Sequence, residues 1–77
     1  MILDVTTVHE NGGEIVPTAF KLGATCLVIS EIMDRWPAKD YSYFKVRAND
    51  EALYILRHDK FSGQWELTWF SRNGDGY

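Results

Sequence analysis

The stretch from Tyr43 to Phe70 constrains this chain most. It reads as three consecutive strands, Tyr43–Ala48, Ala52–His58 and Gln64–Phe70, separated by two short polar turns. In the first, Phe44, Val46 and Ala48 alternate with Tyr43, Lys45 and Arg47, the period-two pattern of a strand with one wet face. In the last, Trp65, Leu67 and Trp69 share a parity opposite Gln64, Glu66 and Thr68. The middle strand is apolar on both sides, with Tyr54 and Leu56 on one and Leu53 and Ile55 on the other, as expected of a central strand covered twice. Asn49-Asp50-Glu51 carries the side chains that bond their own backbone in a reversal. Asp59-Lys60-Phe61-Ser62-Gly63 ends in a glycine suited to a longer hairpin loop. Three strands joined this way make an antiparallel meander.

Upstream, Leu3–His9 and Glu14–Val16 flank Asn11-Gly12-Gly13 and read as an N-terminal hairpin spanning residues 1–16. Pro17, which cannot donate to a ladder, marks an edge or the start of the next short strand, Ala19–Leu22. Thr25–Trp36 is the longest uninterrupted segment. Leu27-Val28-Ile29 favours strand over helix, and no N-cap precedes an amphipathic pattern. Leu27 and Ile29 share one parity and Ile32 has the other, so one extra residue near Ser30-Glu31 is needed, as in a β-bulge. Pro37 to Ser42 reads as a loop, and Arg72 to Tyr77 as a fraying tail. The expected fold is all-β: one domain forming an SH3-like, strongly bent, partly open barrel of five to six antiparallel strands over residues 17–70.

The pattern Phe20, Leu27-Val28-Ile29, Ile32-Met33-Asp34-Arg35-Trp36, Tyr43-Phe44-Lys45-Val46-Arg47, Tyr54-Ile55-Leu56-Arg57-His58-Asp59, Ser62-Gly63 and Trp65-Glu66-Leu67 resembles a group of small, uncharacterised bacterial and archaeal proteins. It is also similar to bacterial domains of unknown function found near translesion-polymerase-like proteins. The resemblance covers roughly residues 17–70 and implies an SH3-like barrel. It rests on core aromatics and turn residues, so it implies a fold and no catalytic residue.

Seventy-seven residues can bury one small core. Three Trp, four Tyr and four Phe help, because each ring buries about 150–250 Å². The single cysteine, Cys26, cannot form an internal disulfide, which points to a reducing cytoplasm. The first residues lack the pattern of a signal peptide, and no apolar run is long enough for a spanning helix. Net charge is -3, but residues 14–72 carry eight basic and eight acidic side chains. A neutral body lacks the basic stripe of a non-specific nucleic-acid binder.

Candidate chemistry is sparse. His58-Asp59 could be a base oriented by a carboxylate, but strand neighbours diverge, and a turn Asp beside a surface His is the expected reading. His9, Cys26 and His58 lack zinc-ligand spacing, so neither metal nor cofactor is expected. Cys26 reads as a small buried hydrophobe. Trp65 reads as core, while Trp36 and Trp69 at strand ends are the best candidates for exposed aromatics. Tyr43, Lys45, Arg47 and Arg57 form a cationic and aromatic set that could read phosphate or an acidic peptide, but a solvated strand face paired with Glu31, Asp34 or Glu66 across the sheet is the expected reading. Leu53, Ile55 and Phe70 are expected to point outward, to be covered by Ile2, Val5 and Val8 of the N-terminal hairpin or by a second copy. The expected function is a non-enzymatic module that binds a protein partner and can form a homodimer. The alternative is a nucleic-acid accessory protein using the Tyr/Lys/Arg face. No membrane association is expected.

Overall fold

The computed structural model describes residues 1–10 and 12–72. It contains β1 (Ile2–His9), β2 (Ile15–Leu22), β3 (Thr25–Pro37), β4 (Tyr41–Ala48), β5 (Leu53–Asp59) and β6 (Trp65–Ser71). Every strand pairs antiparallel with its neighbours in sequence, and β1 returns to pair with β6.

That last pairing corrects the expectation of a partly open barrel: the barrel is closed and six-stranded. Closure rests on Ile2 opposite Glu66 and Leu3 opposite Trp65, with the Leu67 amide donating to the Met1 carbonyl at 2.9 Å. Leu3 turns into the core beside Trp65, so sealing the seam and burying an apolar side chain are one event. The N-terminal hairpin is therefore not a cover laid over β5. Its two strands are staves of the barrel wall. β2 also runs straight through Pro17. Thr18 is the extra residue of a bulge against Thr6/Thr7, and its hydroxyl donates to the Thr6 carbonyl, so the proline falls where a ladder tolerates it.

The core is built by Leu3, Phe20, Leu27, Phe44, Val46, Ala48, Ala52, Tyr54, Leu56 and Trp65. The expected inward parity of Phe44, Val46, Tyr54, Leu56 and Trp65 is what the structure has. β3 carries the anticipated bulge at Ser30, which brings Ile32 back to the inner side with Ile29. A second register shift, between Ile32 and Asp34, makes Met33 another extra residue.

A bulge in β6 was not legible. The ladder passes from Leu56–Leu67 to Ile55–Trp69, leaving Thr68 unpaired, and the Thr68 hydroxyl donates to the Ile55 carbonyl. One extra residue exchanges the faces of all that follows. Trp69 therefore joins Ile55 on the outer side instead of sharing a face with Trp65 and Leu67. Phe70, expected outside with Leu53 and Ile55, aligns with Tyr54 and stacks on its ring at 6.1 Å, although half of it stays exposed.

Two smaller expectations also change. Cys26 is exposed, because Leu27 takes the inner position and its neighbour must face out. The loop between β3 and β4 is only residues 38–40, with the Ala38 amide donating to the Tyr41 carbonyl. Ser71 is still strand, and the tail expected to fray lies, from residue 73 on, outside the described residues.

Candidate functional site: the outer aromatic face and the barrel mouth

The outer side of the β3–β6 wall is organised in rows across the ladders. One row runs Trp36, Tyr43, Arg57, Glu66. The next runs Asp34, Lys45, Ile55, Trp69, and a third runs Glu31, Arg47, Leu53, Ser71. All the candidate surface residues except Phe70 thus fall on one face.

The first row is the most ordered. Trp36, 38% exposed, stacks on Tyr43 with ring centroids 5.4 Å apart and planes 3° from parallel. Tyr41 stands 6.4 Å from Tyr43, and the Arg57 guanidinium sits 4.4 Å over the Tyr41 ring. Arg57 Nη2 donates to Glu66 Oε1, while its Nε is buried without a partner among the described residues. Glu66, and then Tyr43, hold the guanidinium above its already high pKa. Tyr41 was missed because the strand was expected to begin at Tyr43. The signal was present, since Tyr41 continues the Tyr43, Lys45, Arg47 parity.

The second and third rows match charge with charge. Arg47 Nε lies 3.9 Å from Glu31 Oε1, and Lys45 stands opposite Asp34 in the ladder. Leu53, expected to point outward under the N-terminal hairpin or a second copy, is 1% exposed yet outside the central cluster. It is directly opposed by Arg47, whose long apolar stem is of the kind that covers a cross-strand neighbour. Leu53 is therefore unavailable as a contact residue, whereas Ile55 is partly exposed.

Beside this face the barrel has a mouth. β2 pairs with β3 only from Ala19–Val28 to Leu22–Thr25; beyond Val28, β3 follows β4 alone. Arg35 bridges the gap, with Nη1 3.3 Å from Glu10 Oε1 and 3.7 Å from Glu14 Oε2. Next to this bridge lies a cavity of about 570 Å³ lined by Ile15, Trp36, Pro37 and Phe44, with Arg35, His58 and Lys60 among its polar groups. Its size is that of an ordinary ligand pocket.

His58 is not the surface histidine expected. Its ring lies 4.6 Å from Trp65, and burial pushes its pKa below 6.5, partly opposed by Asp59. Asp59 behaves as a turn carboxylate. It accepts from the Phe61 amide at 2.8 Å and the Ser62 amide at 3.2 Å, and these bonds hold its pKa below the usual carboxylate range. The two neighbours therefore serve different structures, His58 the mouth and Asp59 the turn. His9 is exposed at the end of β1 and Cys26 sits on β3. Among the described residues, no group of three or more His, Cys, Asp or Glu could hold a metal ion, and no helix is long and apolar enough to cross a membrane.

No protein-family model matches the chain, no curated protein matches it and no solved structure matches it. The resemblance drawn from the core aromatics gains no family from these comparisons. What stands is a small all-β protein folded as a closed six-stranded barrel.

Proposed function

We propose that this barrel is a non-catalytic interaction module that docks a protein partner on the outer face of β3–β6. The observation that carries the reading is the Trp36–Tyr43 stack, flanked by an arginine clamped between Tyr41 and Glu66. Trp, Tyr and Arg dominate binding hot spots, and they do so best when held still before the partner arrives. Here the strand pairing, the stack and the Arg57–Glu66 pair have already restricted their rotamers. The cations weigh against the nucleic-acid alternative. Arg47 and Arg57 are ion-paired and Lys45 faces Asp34, so the face offers little unmatched positive charge to a phosphate backbone.

The test is cross-linked affinity capture from source-cell extract with wild type, Trp36→Ala and Tyr43→Ala, each checked for fold by circular dichroism. The expected result is one protein retained by wild type and reduced about tenfold by either substitution, the factor that follows from losing a hot-spot contact. Retention indifferent to both substitutions would overturn the reading. Salt-sensitive binding of single-stranded nucleic acid, lost in the same variants, would replace it with the alternative.

A further inference from the structure

Phe61 is the most exposed large apolar side chain described, at 84%. It is not on a floppy loop. The Phe61 amide donates to Asp59 Oδ1, the Gly63 amide to the Asp59 carbonyl and the Gln64 amide to the Ser62 hydroxyl. Lys60 ties the turn to its neighbour, its amide donating to the Asp40 carbonyl and its ammonium to the Ala38 carbonyl at 2.6 Å. An aromatic ring is thus presented to water by a turn fixed from both sides, which removes much of the ordering cost of burying it later.

The same turn borders the mouth. Lys60, next to Phe61, lines the cavity whose apolar wall is Ile15, Trp36, Pro37 and Phe44. Plug and socket therefore sit side by side on one rim. That arrangement is self-complementary under a two-fold axis, because each copy can give its plug and receive the other's at once. The rim charges permit this, since Arg35 is matched by Glu10 and Glu14 within each copy and Lys60 lies beside the 38–40 loop that carries Asp40, so two rims of mixed sign meet without a block of like charge.

We propose that the barrel mouth is a homodimer interface in which Phe61 of each copy fills the cavity of the other. The occupant is a second copy of this chain, and the surface overlaps the outer aromatic face only at Trp36 and Tyr43, which border the cavity.

The test begins with sedimentation equilibrium of the full chain from micromolar to millimolar concentration. Wild type should pass reversibly from 8.9 kDa to twice that mass. Phe61→Ala, whose side chain makes little intramolecular contact, should stay folded and shift the association midpoint about tenfold or more to higher concentration. Arg57→Ala, on the outer face, should leave the midpoint unchanged. A photoreactive benzoylphenylalanine at position 61, in a mixture of light and isotope-labelled chains, should cross-link between chains near Ile15, Trp36 and Pro37. A wild type that stays monomeric at the highest concentration, a Phe61→Ala midpoint equal to wild type, or cross-links landing elsewhere would each overturn the proposal. Those outcomes are read on the purified chain alone, whereas partner capture is read from extract, so the two readings fail separately.

Discussion

The two ends of the barrel are built from the same six strands and are chemically unlike. At one end the β4–β5 turn closes the structure. Asn49 latches it to β3, its amide donating to the Val28 carbonyl while its side-chain carbonyl accepts from the Val28 amide. Beneath it Tyr54 meets Phe20 edge-on at 5.0 Å, and the Tyr54 hydroxyl donates to Asp50 Oδ2 at 2.6 Å. Ala48 and Ala52 let the backbone approach and are buried. At the other end the ladders part, a cavity remains, and charged side chains span the gap. The difference separates what holds the fold from what is left for contact: apolar rings and satisfied polar groups at the sealed end, an exposed plug and an unfilled socket at the mouth.

The largest test of that division sets Tyr54→Ala against Phe61→Ala. Removing a buried ring at the sealed end should cost about 3–5 kcal/mol, a large fraction of what a domain this size has. Phe61→Ala at the mouth should cost no more than about 0.5 kcal/mol in dilute, monomeric solution. Urea denaturation of both variants checks it, and comparable losses would mean that the mouth is as structural as the sealed end.

A finer probe of the sealed end is Tyr54→Phe. It keeps the ring and deletes a hydroxyl bonded to a carboxylate, so the expected loss is about 1.5–3 kcal/mol. The same phenol predicts an alkaline transition. Burial first, and then Asp50, push its pKa up to about 12 from the ordinary 10.0. The folded state holds the proton more tightly than the unfolded one. The stability this contributes is complete below pH 10.0 and is lost as pH rises through about 12. In Tyr54→Phe that component of the alkaline loss should vanish from denaturation midpoints measured across the range.

How far the sequence revealed all this depends on where the ladders are interrupted. From Tyr41 to Asp59 the β4–β5 pairing has no register shift, and there alternation alone assigns Phe44, Val46, Tyr54 and Leu56 to the core. At Ser30 the break showed itself, because Ile29 and Ile32 are both apolar and cannot both be inside without it. At Thr68 nothing did so: Trp69 and Phe70 are equally apolar, and either could have faced in. Cys26 was misjudged for a different reason. Its residue type suggested burial while the parity of Leu27 beside it required exposure, and in a strand parity decides. The closing β1–β6 seam was hidden because two pairs of residues, far apart in sequence, suffice to make it. Of the candidate face, the Tyr43, Lys45, Arg47 parity was readable. So was the pairing of its cations with Glu31, Asp34 and Glu66; which carboxylate each cation meets was not, because that depends on register between strands.

The mouth has its own pH signature, smaller than either Tyr54 effect because it involves one partly buried imidazole. Burial against Trp65 keeps the His58 pKa below 6.5, so the unfolded chain takes up this proton first as pH falls. The depressed pKa therefore costs stability progressively as pH drops below about 6.5, until the folded state is protonated as well. Urea midpoints between pH 8 and pH 5 should decline in wild type, with the slope reduced in His58→Leu. Identical slopes would mean that His58 is as solvated as a surface histidine and that the mouth is more open than its ring contact implies.

The smallest expected effect returns to the sealed end and asks whether that end is as well optimised as it looks. Glu51 has φ of 69°, the left-handed region where a side chain costs about 1–2 kcal/mol. Asn49 and Asp50 are the residues that tolerate this conformation best, but both are otherwise engaged. Asn49 latches Val28, and Asp50 accepts from the Ala52 amide at 3.0 Å and from Tyr54. The strained position therefore falls to Glu51, whose amide donates to the Ala48 carbonyl to complete the turn. Glu51→Gly relieves the strain, and it also gives the unfolded chain more freedom to lose, about 0.5–1 kcal/mol of opposing entropy. The net should be a gain of a few tenths to about 1 kcal/mol, read as a higher urea midpoint at unchanged slope. A loss instead would show that the glutamate side chain contributes a contact outweighing its backbone cost, and that this turn, like the rest of the sealed end, is already near its best.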